Sequence, residues 1–193
     1  MKKILIGTHN KGKFKEIAYL ISKKYKKISP LTLNIKSPKE TGNTFSSNSK
    51  LKATFFSKFV DYSVISDDSG LCIKSLGNKP GIHSARFAKK HGGFLKAMKF
   101  ILKRLKDKKN RSAIFVCSLS YKKPSGKLIS VVGKIHGTIS NKILGKKGFG
   151  YDPIFIPNKD KKSTFGQMSK LKKIKMDHRF EAYKKLKKKI KIL

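Results

Sequence analysis

Two adjacent aspartates, Asp67 and Asp68, constrain this chain more than any other feature. They follow a short apolar run (Tyr62, Val64, Ile65) and precede Ser69-Gly70, so the stretch reads as strand, acidic corner, strand, with Leu71-Cys72-Ile73 as the second strand. The sequence holds 10 acidic residues against 48 basic ones, so an adjacent acidic pair at a strand end is a poor match for solubilising surface. Two carboxylates at a strand's carboxyl end suit a divalent metal, a general base, or both. The same pattern also suits an Asx-turn in which the aspartates merely cap local backbone.

At 193 residues the chain is long enough for a substantial core, in one domain or one domain with two lobes. No stretch approaches the roughly 18–20 apolar residues of a membrane span. The apolar run after Lys2-Lys3 is too short for a secretory signal. Cys72 and Cys117 lie far apart in apolar surroundings and read as small buried hydrophobes in a reducing compartment, so a cytoplasmic location is expected.

A net charge of +38 raises the question of nucleic acid. The basic residues are nearly all lysine, with arginine only at 86, 104, 111 and 179, and they spread along the whole chain rather than forming one arm or stripe. Base readers lean on the arginine fork. A lysine-rich composition laid over an ordinary fold is the better reading; loose, salt-sensitive association with polyanions is expected, without specific nucleic-acid binding or a membrane partner.

Along the chain, residues 3–8 read as a buried strand, followed by Thr8-His9-Asn10-Lys11-Gly12-Lys13 and then Phe14, Ile17, Ala18, Leu20 and Ile21 at helical spacing. A polar loop entering a helix N-terminus offers free N–H groups and a favourable dipole to an anion, and Lys13 adds charge. The spacing of Gly7, Gly12 and Lys13 matches a P-loop, except that the following metal-binding hydroxyl is replaced by Phe14. A P-loop NTPase or kinase therefore stands as an alternative. Residues 28–36 read as a strand, and 44–60 as a helix with Leu51, Phe55, Phe56 and Phe59 on its apolar side. Residues 77–86 read as a Gly/Pro-punctuated loop. Phe94 to Leu105 form the clearest amphipathic helix, and 112–121 with 127–135 a hairpin. Residues 145–153 form a glycine-rich loop whose aromatics, Phe149 and Tyr151, suit a base-stacking wall. A strand at 154–156 and a helix at about 178–190, with Ala182, Tyr183, Leu186 and Ile190 inward, complete the chain.

Taken together, Thr8–Lys13, Ser66–Leu71, Pro80-Gly81-Ile82-His83-Ser84-Ala85-Arg86, Gly148–Pro153 and Asp177-His178-Arg179 resemble the inosine/xanthosine triphosphate pyrophosphatase family, collinearly from about residue 4 to 187. The resemblance implies an α/β fold: a long mixed central sheet flanked by helices, with two lobes and the active site in the cleft between. It also implies a homodimer and magnesium-dependent hydrolysis of (d)ITP and (d)XTP to the monophosphate and pyrophosphate. Position by position, Thr8, Asn10 and Lys13 would bind the triphosphate. Asp68 would bind magnesium and act as base on the attacking water, with Asp67 and Glu40 as further metal ligands and Ser69 touching substrate. Phe149, Gly150, Tyr151 and Asp152 would line the base pocket, Lys173 would reach the nucleotide, and His178 and Arg179 would read the purine's keto oxygen. A related architecture, the Maf-type pyrophosphatase, is disfavoured by the His178-Arg179 pair.

The chain departs from the family pattern at several points. Lys39 stands where the first of an acidic pair is usual, leaving Glu40 alone; Ser47 and Gln167 replace usual acidic residues, and Asp177 replaces serine. These changes bear on the second metal ligand rather than on the reaction class.

Overall fold

The protein is described from a computed structural model covering residues 1–190. β1 (Lys2–Gly7) runs through Ile4, Leu5 and Ile6, none of them accessible to solvent. It leads into α1 (Lys11–Leu20), where Asn10 is the N-cap and accepts from the Lys13 amide, satisfying one of the orphan donors of the first turn. β2 (Tyr25–Ile28) follows, then α2 (Phe45–Phe56), opened by a reciprocal capping box between Thr44 and Ser47. β3 (Ser63–Ile73), β4 (Lys79–Pro80), α3 (Ser84–Lys90) and α4 (Phe94–Arg104) come next, then the β5 (Ser112–Lys122) and β6 (Leu128–Ile139) pair, β7 (Phe155–Pro157), α5 (Lys170–Ile174) and α6 (His178–Lys189).

The strands form one mixed seven-stranded sheet in the order β2-β1-β3-β5-β6-β7, with β4 paired to β3, and helices flank it. β1 is parallel to both β2 and β3, whereas β4 is antiparallel to β3 and β7 to β6. Parallel central strands need both faces covered, which accounts for the near-continuous burial of β1 and β3. Among the described residues, no helix is long and apolar enough to cross a membrane.

The chain divides into two compact units. The first comprises residues 1–68, 117–133 and 179 onward. Its apolar core gathers Ile4, Ile6, Ile17, Ile65, Leu119 and Leu186, among others, and Phe56 packs with Leu5 and Val64 in a smaller cluster. Here α2 is seated by hydroxyls: Ser49 Oγ lies 2.8 Å from both Ser118 Oγ and Ser120 Oγ, Ser120 Oγ donates to Ser130 Oγ at 3.0 Å, and Ser46 Oγ is 3.2 Å from Ser130 Oγ. The second unit comprises residues 69–116 and 134–178, with a core that includes Leu71, Ile101, Phe115, Ile154, Phe155 and Phe165.

Several sequence expectations need correction. Ser66–Leu71 is not a corner: β3 runs unbroken from Ser63 to Ile73, and Asp67 and Asp68 lie inside it. Nor is Gly70 a turn residue. A Cβ there would fall 2.2 Å from the Gly81 carbonyl oxygen and 2.5 Å from Ser84 Oγ, so glycine serves a close backbone approach. The strand expected at 28–36 ends at Ile28, because Ser29 and Pro30 open a 3₁₀ turn over Pro30–Leu33. α2 stops at Phe56, and Phe59, expected inside, is 54% exposed. The stretch 77–86 is partly ordered into β4, a 3₁₀ turn and the start of α3. α4, the 112–135 hairpin and the inward face of α6 fall where the periodicity puts them. Cys117 is buried and Cys72 half-buried, and neither is in a disulfide.

Candidate active site

In the first unit the residues expected to serve phosphate and metal gather around β3. Asp67 is fully buried, and its Oδ2 lies 3.2 Å from Lys13 Nζ and 3.6 Å from an Arg179 terminal nitrogen. Arg179 is itself buried and donates through its other terminal nitrogen to Glu16 Oε2 at 2.8 Å. Asp68 accepts at Oδ2 from Asn48 Nδ2, 3.1 Å away, while Asn48 Oδ1 accepts from the Gly42 amide at 2.8 Å. Asn48 is thus fixed at both ends and locked as a donor toward Asp68. Lys52, one turn farther along α2, pairs with Glu40 Oε1 at 2.7 Å. Thr8 Oγ1 accepts from the Asn10 amide at 3.3 Å, and the loop from Thr8 to Lys11 lines a cavity of about 120 Å³.

The two aspartates are driven apart electrostatically. Burial would raise the Asp67 pKa, but the charges of Lys13, Arg179 and Lys52, with the Lys13 hydrogen bond, outweigh it and hold the carboxyl well below its ordinary value. Asp68 is raised: burial leads, Glu40 and Asp67 add to it, and Lys52 and Lys13 offset only part. For Lys52 desolvation works against its charge, yet Asp67, Glu40, Asp68 and the Glu40 hydrogen bond win, so the ammonium is held protonated.

In the second unit, Gly148 and Gly150 take left-handed backbone at φ +75 and +66 and shape the loop carrying Phe149, Tyr151 and Asp152. A Cβ on Gly148 would lie 2.1 Å from Asp152 Oδ2. That oxygen accepts from the Phe149 amide at 2.8 Å and from Lys173 Nζ at 2.6 Å, with both side chains of the ion pair buried. Lys173 Nζ also sits 4.5 Å from the centroid of the Phe149 ring, a cation–π arrangement. The Tyr151 hydroxyl donates to the Ser84 carbonyl at 3.0 Å, and burial pushes that phenol above its ordinary pKa. His178 lies flat on Phe115, centroids 4.8 Å apart and planes 10° from parallel. Ser69 is half-buried on β3.

The expected residues therefore form two groups, Thr8, Asn10, Lys13, Glu40, Asp67, Asp68 and Arg179 in the first unit and Ser69, Phe149 to Asp152, Lys173 and His178 in the second. His178 and Arg179 are neighbours in sequence but join different groups, because successive residues at a helix start point in different directions. Glu16, Asn48 and Lys52 were missed by sequence reasoning. For Asn48 the spacing of α2 carried a signal, since it shares the buried stripe of Ala53 and Phe56, where a polar side chain needs a partner.

The donor set fits magnesium in a limited way. Asp68 and Glu40 supply hard oxygens whose mutual repulsion already raises Asp68, a stress that a divalent cation would relieve. Among the described residues no three His, Cys, Asp or Glu side chains are grouped to hold an ion by themselves. This matches magnesium, which is bound through one or two carboxylates together with phosphate oxygens and waters.

Comparison with known proteins places the chain. The sequence model of the Ham1 family matches residues 4–189. The chain is 39% identical over 190 residues to the dITP/XTP pyrophosphatase of Bacillus licheniformis, covering 96% of both chains. It is 38% identical over 187 residues to that of an Exiguobacterium species, covering 95% of this chain and 94% of the other. Among solved structures, the Ham1 protein of Staphylococcus aureus superposes with a TM-score of 0.86 at 33% identity, over 98% of both chains. A mixed sheet with these loops and this near full-length likeness has one reading: the chain belongs to the Ham1 family.

Proposed function

We propose that this chain hydrolyses the non-standard purine nucleoside triphosphates ITP, dITP, XTP and dXTP to the monophosphate and pyrophosphate, clearing them from the nucleotide pool, and that residues 1–193 act as one catalytic domain. The observation that carries the reading is the Asp67–Asp68 pair, two buried carboxylates on one strand with pKa values displaced in opposite directions. Such a split supports separate acid–base roles for the two. Asp68, raised and held by Asn48, is suited to take a proton from the water that attacks the α-phosphorus. Asp67 stays ionised and fixes Lys13 and Arg179 in place.

Lys13, the Thr8–Asn10 loop and the start of α1 would hold the triphosphate, with Lys52 as a further cation. Magnesium, bound by Asp68 with Glu40 or Asp67, would supply charge neutralisation on the phosphates and polarise the water. In the second unit Phe149 to Asp152 would line the base pocket, with Lys173 and Ser69 touching the nucleotide. His178 would donate to the purine's 6-keto oxygen, and Arg179 would add positive charge toward the same substrate. A donor at that position disfavours adenine, whose 6-amino group leaves it unpaired. The working form is read as a cytoplasmic homodimer.

The P-loop alternative is not favoured: Gly12 and Lys13 are in the first turn of α1, Lys13 is engaged by Asp67, and position 14 offers no hydroxyl. A basic nucleic-acid-binding module is not favoured either, since it assigns no role to the buried acidic pair.

The test is product analysis with ITP, GTP and ATP in magnesium. IMP and pyrophosphate from ITP, with ATP and GTP nearly untouched, are expected. IDP and free phosphate would return the P-loop reading.

A further inference from the structure

A second cavity in the second unit, of about 1040 Å³, plays no part in the reaction proposed above. Two aromatic rings, Phe87 from α3 and Phe100 from α4, form its apolar wall. Their centroids are 5.9 Å apart at 64°, and the His91 ring packs against both, 4.1 Å from Phe87 and 4.5 Å from Phe100. Phe100 is 42% exposed although it is a large apolar residue. Around this wall stand Lys79, Lys103, Arg104 and Lys108, and none of the cavity's lining residues is acidic.

Each feature narrows the occupant. An exposed aromatic wall accepts a flat ring, because stacking is tolerant of ring identity. Four cations without a carboxylate call for an anion, and an arginine among them suits phosphate oxygens. A second copy of this chain is a poor occupant of this cavity, since a symmetric contact here would set Lys79, Lys103, Arg104 and Lys108 of each copy against one another with no lining carboxylate to pair them. The volume lies at the upper end of small-ligand pockets.

We propose that this cavity is a second nucleotide site, distinct from the catalytic residues. It would take a free nucleoside polyphosphate with the base against Phe87 and Phe100 and phosphates on Lys103, Arg104, Lys79 and Lys108.

The test is an equilibrium titration of the full chain carrying Asp68→Asn, which blocks turnover, using ATP with and without saturating ITP. ATP is expected to fill one site per chain in both conditions and to bind at least tenfold more tightly than inorganic tripolyphosphate. Phe100→Ala and Arg104→Glu are each expected to weaken ATP tenfold or more. Introduced singly into the otherwise unaltered chain, they should leave ITP hydrolysis within twofold. Competition between ATP and ITP for a single site would overturn the proposal, as would equal affinity for ATP and tripolyphosphate, which marks a merely basic surface. Preference for a single-stranded oligonucleotide over ATP would also overturn it. So would a Phe100→Ala variant that splits a dimer while ATP binding is unchanged. ITP turnover is read independently, so failure of this site and failure of the pyrophosphatase reading are distinguishable.

Discussion

Asp67 and Asp68 are consecutive on β3 and both buried, yet Asp67 accepts the charges of Lys13 and Arg179 whereas Asp68 meets the neutral amide of Asn48. Alternation along a strand puts the two carboxyls on opposite faces, so one residue step separates an anion held by cations from one crowded by other carboxylates. Their substitutions should diverge accordingly.

Asp68→Asn should lower kcat for ITP by roughly 10²–10⁴-fold, the range of a lost general base. It should also raise the melting temperature at neutral pH. The sign follows from the raised folded-state pKa: ionising Asp68 costs more in the folded than in the unfolded chain, so its charge destabilises the fold once pH rises above the unfolded value of about 3.9. Paired kinetics and thermal melts check both halves. A variant that is inactive and less stable would count against the assignment.

Asp67→Asn should behave in the reverse way, losing about 3 kcal/mol because Lys13 and Arg179 lose their shared counter-charge. Since the Asp67 pKa is lowered, its contribution is fully present above about pH 3.9 and is lost as pH falls toward the folded value. Urea melts at pH 7 and pH 3 should therefore differ more for the wild type than for the variant.

In the metal-free chain Asp68 should titrate above the ordinary aspartate value of about 3.9, because burial and the neighbouring Glu40 and Asp67 raise it. A side-chain carboxyl NMR titration without magnesium reads this directly; added magnesium should move it down, and a metal-free titration at or below the ordinary value would remove Asp68 from the base role.

Lys173→Met should destabilise the chain by about 3 kcal/mol, since it strands the buried Asp152 carboxylate. Asp152→Asn in the same chain should restore part of that loss, because the remaining amide carries no unpaired charge. A double-mutant cycle by urea denaturation measures the coupling.

Gly148→Ala should cost about 1–3 kcal/mol for left-handed backbone, and the added methyl must displace the Asp152 carboxyl. A raised KM for ITP, larger than its effect on kcat, is expected if the loop holds the base.

What could be read from the sequence alone was what repeats locally. The stripe of α4 from Phe94 to Leu105 and the alternation in β5 and β6 put their own burial on display. The polar run Ser66–Gly70 did not, because its burial depends on Lys13, Arg179 and Asn48, which come from distant parts of the chain. The same reason hid Lys52: lysine on a helix reads as solvated until Glu40 and the aspartates are placed around it. Phe59 erred the other way, since an aromatic beyond the last turn of α2 continues the apolar count but not the helix. The motif residues themselves were legible as types; which of the two groups each joined was not, as His178 and Arg179 demonstrate.

The serine hydroxyls that seat α2 are rotors, each able to give a proton in one direction and receive one from another. Two backbone carbonyls bias the sense of this mesh, since Ser49 donates to the Ser46 carbonyl at 3.1 Å and Ser118 to the Val131 carbonyl at 3.3 Å. The helix carrying Asn48 and Lys52 is therefore held by directional contacts, which set its rotation over β5 and β6 more sharply than methyl groups would. A valine in place of Ser49 would remove a hydroxyl that meets both Ser118 and Ser120, so the orientation of the helix is written in oxygens rather than in packed carbon.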